Sequence, residues 1–485
     1  MGRLSLSHVP SAIPSLSLLL SLGLATAPMA LGHDHSSSNI PEGQTISDDP
    51  IAMQDTILWI HIFIQMVAWG VIFPAGMVLG IVKSRWHVPV QSLGGVLALL
   101  GYFLGHMHGG REFGSNIHSI FATPLMFMLL GQVVMGIYLK LHLEKGFHGK
   151  VRRYVKLGHS ILGKAMPVLA WTQMVFGGIA TLGFCHGDHL GQCLAHFIMG
   201  SSFIAYGILS AIVLLVGQAW LRRTGRSQEF FDSAMIAGWG CVNTFTEHRW
   251  GGAWVENDWQ HTTMGVIWWC AGLAGIWLSK DRTGRPQRNF IPGFVLLITG
   301  WAMSSHPQHK MVSSQVHKIF GYTLMAAGAT RIIDVSFVST DGVPEDSRPP
   351  RNFEYISVFL LYASGILFLA ATEEQMELIE NSGMDHVAYI LILYSIAFLV
   401  FLFSMMLINL YDQNANPAMA KKDLANGRMA NGPNGHVPVR DAQEFELEGL
   451  MSDDEDAEGN RLLRDEDLPL DSPSTVGKNS DKVAN

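Results

Sequence analysis

The sequence predicts an all-α, polytopic membrane protein in which a four-helix bundle precedes a C-terminal bundle of about seven helices. Hydrophobic residues make up 48% of the 485 residues, and charged residues only 15%. The apolar residues occur in runs of about twenty, the length that an α-helix needs to cross a bilayer. The formal net charge of −8 comes mostly from the C-terminal tail, so it indicates nothing about a substrate-facing surface.

The N-terminus is predicted to direct the chain into the secretory pathway. Residues 1–32 have the features of a signal peptide, because Arg3 precedes an apolar run, Leu16 to Leu24, that small residues follow. Residues 33–54 would then form a lumenal leader. We therefore expect an integral membrane protein of the secretory or endomembrane system, with vacuole, endosome and plasma membrane left open.

Four apolar segments follow within residues 55–183, and each has a histidine at or near its start: His61, His87, His118 and His159. Consecutive spans alternate in direction, so the first and third histidines share one side of the bilayer, and the second and fourth share the other. Ionisable residues in or beside spans are costly and rarely kept without a use. Two histidine pairs near opposite faces of one bundle are what two bis-imidazole haems require.

The motifs around these histidines resemble those of cytochrome b561-type proteins. In the run HIFIQMVAWGVIFPAG, His61 leads a methionine, a Trp-Gly and a Pro-x-Gly, as in the first core helix of that family. The resemblance continues in order through Trp86, His87 and Gln91, then His118 with Gln132 and Gly136, then His159 with Gly163. It covers the four-helix domain, residues 55–183.

This resemblance implies a transmembrane oxidoreductase with two b haems. His87 and His159 would hold the cytosolic one, which accepts electrons from a small donor such as ascorbate. The other pair would hold the lumenal haem, which reduces an acceptor such as ferric or cupric ion. His106 and His108, at the far end of the second segment, are rival ligands that would place their iron on the lumenal side.

Loop charges predict the orientation. The loops Lys83–Pro89 and Lys140–Lys156 are basic, and both fall in the cytosol if the N-terminus is lumenal, in agreement with the positive-inside rule. The lumenal loop 184–194 contains Cys185 and Cys193, which could form a disulfide in an oxidising lumen.

Residues 195–411 are predicted to form a second membrane domain. The segment 231–245 is short and interrupted by glycines, so it spans, re-enters or lies on the surface. Including it gives eleven spans, and omitting it gives ten. We favour eleven because the basic loop Lys280–Arg288 then lies in the cytosol. Arg331 and Asp334, three residues apart on one helix, are interpreted as an ion pair near the membrane edge.

Ionisable side chains at helix ends of this domain fall on one side of the membrane, the lumenal side in the eleven-span topology. They are His248, His261, His306, His309, His317, Glu373, Glu374 and His386. Histidine and glutamate together suit a divalent metal such as Zn, Mn or Fe, or a proton relay. Helix ends at the interface also collect polar residues without any such role. The alternative function is therefore a non-haem transporter or scaffold that uses this cluster for metal or proton binding.

Four long runs in this domain resemble the C-terminal region of fungal Ytp-type membrane proteins, named after a yeast tyrosine-rich protein. They are WQHTTMGVIWW at 259–269, HKIFGYTLMAAGATRI at 317–332, LLYASGILFLAATEEQM at 360–376 and HVAYILILYSIAFLVFLF at 386–403. The resemblance implies a fold and no particular chemistry.

Residues 412–485 are predicted to be a disordered, acidic, cytosolic tail, because polar residues dominate and apolar runs end. Glu458, Leu462 and Leu463 form an acidic dileucine pattern that resembles the signals read by vesicle adaptors. The sequence has no nucleotide-binding glycine loop, nucleophile elbow or HExxH motif. The expected partners are an electron donor, a metal-ion acceptor and the lipid bilayer, with no nucleic acid.

Overall fold

The computed structural model describes residues 55–107, 116–143, 145, 147–187, 190–248, 251–306, 308, 310–338 and 350–415. Within these ranges the regular structure is helical, which confirms the predicted all-α fold. The predicted signal peptide, the leader up to residue 54 and the acidic tail beyond residue 415, with its dileucine pattern, lie outside the described residues.

The first bundle consists of four long helices. They are α1 (Thr56–Ile81), α2 (His87–Met107), α3 (Ile117–Lys140) and α4 (Phe147–Leu182). Capping side chains start two of them just before a histidine: Asp55 accepts the N–H of Leu58 (2.7 Å), and Asn116 accepts the N–H of Ser119 (2.9 Å). The core of the bundle is apolar and comprises Ala68, Trp69, Phe73, Ala98, Leu125, Leu129, Met166 and Ala170.

Helix α1 contains a π-helical segment, Ala68–Ile72, immediately before Phe73 and Pro74. A π-helical turn takes in about one more residue than an α-helical turn, and such segments are common at functional sites. The segment therefore shifts the second half of α1 by one residue relative to a regular helix.

Within the part that the structure describes, the C-terminal bundle has seven long helices and two short ones. They are α5 (Leu190–Leu215), α6 (Gln218–Arg223), α7 (Gln228–Thr246), α8 (Glu256–Leu278), α9 (Ile291–Ser304), α10 (Met311–Ile333), α11 (Glu354–Leu369), α12 (Glu373–Asn381) and α13 (His386–Ala415). The seven long helices agree with the sequence prediction.

Within the described residues, six helices are long and apolar enough to cross a membrane, namely α1 to α5 and α13. A seventh is added if the bent pair α11 and α12 counts as one span. The segment 231–245 does form a helix, α7, but it is outside this set. By length and apolar composition, the structure supports fewer than the eleven spans that were predicted. Helix α9 has only 14 residues, and α7, α8 and α10 are less apolar.

Close packing through glycine joins the C-terminal helices in pairs. A Cβ at Gly300 of α9 would lie 2.5 Å from the carbonyl oxygen of Gly321 of α10, so these helices touch backbone to backbone. Glycines join α7 to α8 and α5 to α11 in the same way. Large apolar side chains such as Phe63, Phe127 and Trp277 remain exposed, which suits a surface covered by lipid.

The predicted disulfide between Cys185 and Cys193 is formed. It closes the loop between α4 and α5, and Glu374 at the start of α12 accepts hydrogen bonds from the N–H groups of Cys185 (2.8 Å) and His186 (3.4 Å). The loop is thereby fixed against the second bundle.

Candidate functional site

The structure pairs the four histidines of the first bundle as their order predicts. The ring centroids of His61 and His118 lie 6.4 Å apart with planes at 89°, and those of His87 and His159 lie 6.3 Å apart at 87°. All four rings are half-buried. A metal with nitrogen ligands about 2 Å away on both sides holds two imidazole centroids about 6 Å apart, so both separations suit a six-coordinate metal between the rings.

Hydrogen bonds define which nitrogen carries the proton in three of the four rings. The Nδ1 atoms of His61, His87 and His118 lie 2.6, 2.8 and 3.1 Å from the carbonyl oxygens of Gly101, Gly76 and Gln173. A carbonyl only accepts, so Nδ1 carries the proton and Nε2 keeps a lone pair for a ligand. Such an Nδ1 bond fixes ring orientation and raises the basicity of the other nitrogen, as in many metal-bound histidines.

His159 departs slightly from this pattern. Its Nδ1 lies near the carbonyl of Gln132, the equivalent acceptor, but it is buried without a closed hydrogen bond. A small rotation of the ring would complete the set. The remaining three rings are therefore better fixed than this one.

Each histidine ring packs on a glycine of the neighbouring helix. A Cβ at Gly105 would lie 2.7 Å from His61, one at Gly80 2.7 Å from His87, one at Gly177 3.0 Å from His118, and one at Gly136 3.4 Å from His159. At the first two positions a methyl group would overlap the ring. The glycines therefore make the recesses in which the rings lie.

These glycines follow the histidines at a fixed interval that sequence reasoning missed. Gly105 follows His87 by 18 residues, and the intervals from His118 to Gly136 and from His159 to Gly177 are the same. Eighteen residues make five helical turns and span about 27 Å, so a histidine and a glycine at this interval lie on the same face of the helix. The histidine lies at one level of the bundle, either the lumenal level of His61 and His118 or the cytosolic level of His87 and His159, and the glycine lies at the other level. The interval from His61 to Gly80 is 19, and it contains the π-helical segment of α1.

Four glutamines line the interior of the bundle between the two levels. The amide groups of Gln132 and Gln173 donate to the carbonyls of His159 and His118, both at 2.9 Å. Those of Gln65 and Gln91 donate to backbone carbonyls of α2 and α1, at 3.3 and 3.4 Å. These bonds fix the backbone beside the histidines.

The rival ligands of the second segment do not enter the site in the described part of the chain. His106 is exposed, and its Nδ1 donates to the carbonyl of Tyr102 on its own helix (2.9 Å). His108 lies outside the described residues. His87 is therefore the partner of His159.

The seven metal candidates of the C-terminal bundle that the structure describes are not brought to one point. His248 bonds Asp258 (2.9 Å), and His386 lies 3.2 Å from Asp385. Glu374 binds the disulfide loop, Glu373 is its neighbour in the first turn of α12, and His309 lies outside the described residues. His248 and His386 instead contact nearby aspartates, and Glu374 contacts backbone N–H groups, so these side chains do not converge.

Three of the candidates do meet other histidines. His261 and His306 have ring centroids 5.6 Å apart, and His317 pairs with His196, which sequence reasoning did not single out, at 5.8 Å. Among the described residues, the only group of three ligands close enough for a metal is Cys185, Cys193 and Glu374. Its cysteines are joined in the disulfide, so it offers no thiolates.

Comparison with known proteins assigns the second bundle. A family model described as "Protein YTP1-like, C-terminal" matches residues 169–412, half of the chain. The chain belongs to the YTP1-like family. A second model, described as a domain of unknown function (DUF2427), matches residues 13–142. The predicted Ytp-type membership is thereby confirmed.

Two relatives show how far the similarity extends. Protein YTP1 of Saccharomyces cerevisiae is 44% identical over 261 residues, which are 53% of this chain and 54% of the yeast protein, so the chain spans about half the length of that relative. An uncharacterised membrane protein of Schizosaccharomyces pombe is 23% identical over 453 residues, 68% of this chain and 88% of the relative. No solved structure matches the chain. These relatives and the apolar helices make this YTP1-like chain an integral membrane protein.

The YTP1-like region also contains a buried ion network. Arg331 bonds Glu229 (2.9 Å) and Asp334 (2.8 Å), and Arg288 bonds Glu229 (3.2 Å). Asp232 accepts a hydrogen bond from Tyr206. The pair between Arg331 and Asp334 is the predicted one, but the contribution of α7 was not foreseen, since Glu229 is 102 residues away in sequence.

Proposed function

We propose that the chain is a transmembrane electron-transfer protein that holds two b-type haems and moves electrons from a cytosolic donor to a lumenal or extracellular acceptor. The observation that carries the proposal is the pairing of four imidazoles from four helices, with three Nδ1 atoms bonded to carbonyls. His61 and His118 would hold the lumenal haem, and His87 and His159 the cytosolic one. A haem supplies one-electron chemistry when bound.

The residues present fit such a group. In His61, His87 and His118, Nδ1 is bonded to a backbone carbonyl, so Nε2 is the nitrogen that would bind the iron, and metal-binding histidines are commonly orientated in this way. The flanking glycines, of which Gly80 and Gly105 come closest, leave the rings room to lie against the backbone. Apolar side chains such as Trp69 and Leu129 form the buried core of the bundle.

Charge near the cytosolic pair favours an anionic donor such as ascorbate. Lys83 and Arg85 lie in the loop before His87, and the end of α3 and the start of α4 are basic. A concentration of one sign of charge raises the local concentration of ligands of the opposite sign. At the lumenal side we propose a metal-ion acceptor, ferric or cupric.

Reconstitution tests this function. Proteoliposomes that contain ascorbate and are bathed in a ferric chelate are expected to reduce the external iron faster than protein-free liposomes. The variant His87→Gln should lose this rate, and His106→Gln, which removes an exposed histidine of the same helix, should keep it. Equal rates with and without protein would overturn the proposal.

Two glycines at one level allow a matched test of the recesses. Gly80→Ala would place a Cβ 2.7 Å from Nδ1 of His87, whereas Gly136→Ala would place one 3.4 Å from His159. Both changes add about 1 kcal/mol of helix propensity, so their difference isolates the contact with the ring. We expect Gly80→Ala to lose haem or shift its reduction potential and Gly136→Ala to resemble the wild type. Identical spectra and potentials in both variants would contradict this account of the recesses.

A further inference from the structure

A third pair of histidines lies in the second bundle, away from the proposed haem ligands. His196 of α5 and His317 of α10 have ring centroids 5.8 Å apart and planes at 84°. They are 7% and 3% exposed, so both are more deeply buried than the four histidines of the first bundle. Their orthogonal arrangement is close to that of the other two pairs.

Hydrogen bonds fix the free nitrogen of both rings. Nδ1 of His196 donates to the carbonyl of Gln192 (2.8 Å), and Nδ1 of His317 donates to that of Ser313 (2.9 Å). Each acceptor lies four residues earlier on the same helix, so Nε2 is the nitrogen directed away from that backbone contact. Nε2 of His196 is buried and has no hydrogen-bond partner.

A buried lone pair without a partner is costly, at about 1–3 kcal/mol. Two neighbouring imidazoles that both keep their proton on Nδ1 cannot satisfy each other, because both Nε2 atoms are acceptors. A cation between them would satisfy both. The apolar surroundings, including Phe368, which stacks on His196 with centroids 4.5 Å apart, favour an ion of low charge because desolvation is then least costly.

A second pair of histidines lies in the same bundle. The rings of His261 and His306 have centroids 5.6 Å apart. Nδ1 of His261 lies 3.2 Å from a carboxylate oxygen of Glu247, and Nδ1 of His306 lies 2.6 Å from the side-chain oxygen of Gln260. These two rings therefore have polar side-chain partners, whereas Nδ1 of His196 bonds a backbone carbonyl.

We propose that His196 and His317 bind one Cu(I) ion through their Nε2 atoms. Imidazole nitrogen is a preferred ligand of copper, zinc, iron and nickel. Of these, a monovalent copper ion adds only one charge to an apolar site that has two neutral ligands, and no carboxylate of the described residues bonds either ring. This proposal goes beyond electron transfer through the first bundle and does not depend on it.

Copper titration of the purified, full-length protein tests the site. Under reducing conditions, with a Cu(I) chelator as competitor, the wild type is expected to retain one copper ion per chain, and X-ray absorption should show two nitrogen ligands. His196→Gln and His317→Gln should weaken binding by more than the roughly 10–100-fold that loss of a supporting residue costs. His386→Gln, which alters a histidine next to Asp385 at the start of α13, should bind copper like the wild type.

Two outcomes would overturn the site. One is a wild type that retains no copper above the level of the double variant His196→Gln, His317→Gln. The other is bound copper whose absorption spectrum shows no pair of nitrogen ligands. The variant His61→Gln, His118→Gln separates this proposal from the haem proposal, since it should keep its copper whatever happens to its haem.

Discussion

Replacing both His61 and His118 with glutamine is expected to reduce the haem content from two per chain to one. The glutamine side chain cannot replace imidazole as a haem-iron ligand, and in the proposal this pair would supply both ligands at the lumenal level. The cytosolic pair lies about 27 Å away along the helices, and it keeps the bond from His87 to Gly76 and its own glycine contacts. The expected result is half of the reduced b-type absorbance, measured together with haem quantified per chain.

The reciprocal variant and a control complete this test. His87→Gln with His159→Gln should also leave one haem, and the reduction potential of the haem that remains should differ between the two double variants. His106→Gln should keep two, because that exposed ring bonds only to its own helix. Loss of both haems from either double variant, in protein that elutes as the wild type does, would contradict the prediction that each histidine pair binds its haem independently of the other.

Replacing Arg331 with leucine is expected to cause the largest loss of stability in the second bundle. Arg331 bonds Glu229, which is 1% exposed, and Asp334, which is 2% exposed. Removing the guanidinium leaves buried carboxylates with less positive charge beside them, and the loss of one partner of a buried ion pair costs about 3–5 kcal/mol of stability. The free energy of unfolding, measured by SDS titration in mixed micelles, should fall by that amount.

Two further variants identify the cause. Arg282→Leu removes an exposed arginine from the loop after α8 and should change stability by less than about 0.5 kcal/mol. Adding Glu229→Gln to Arg331→Leu should recover part of the loss, since it neutralises a carboxylate that the first change left behind. A loss in Arg331→Leu no greater than in Arg282→Leu would show that the network contributes little.

The sequence predicted the first bundle well because its signals are local. Apolar runs define the helices, and alternation of direction is enough to place His61 with His118 and His87 with His159. The recurring interval of 18 residues between histidine and glycine was also present in the sequence, but the extra residue in α1 conceals it at Gly80. In the sequence alone, where the π-helical segment is not visible, the 19-residue interval from His61 to Gly80 looks like an exception to the 18-residue rule.

The second bundle was predicted less well because its contacts are distant in sequence. Glu229 and Arg331 meet across 102 residues, and His196 and His317 meet between helices that do not follow one another. The sequence grouped histidines and glutamates by side of the membrane. It could not show that His248 contacts Asp258, or that Glu374 accepts hydrogen bonds from the disulfide loop 189 residues away.

An optical spectrum of the detergent-purified protein tests directly whether the two histidine pairs of the first bundle hold haem. We expect a low-spin b-type spectrum, oxidised and then dithionite-reduced, at about two haems per chain, one for each bis-imidazole pair. Well-folded protein without haem would rule out haem binding by these histidines. The histidine pair in the second bundle would then be the candidate site that remains.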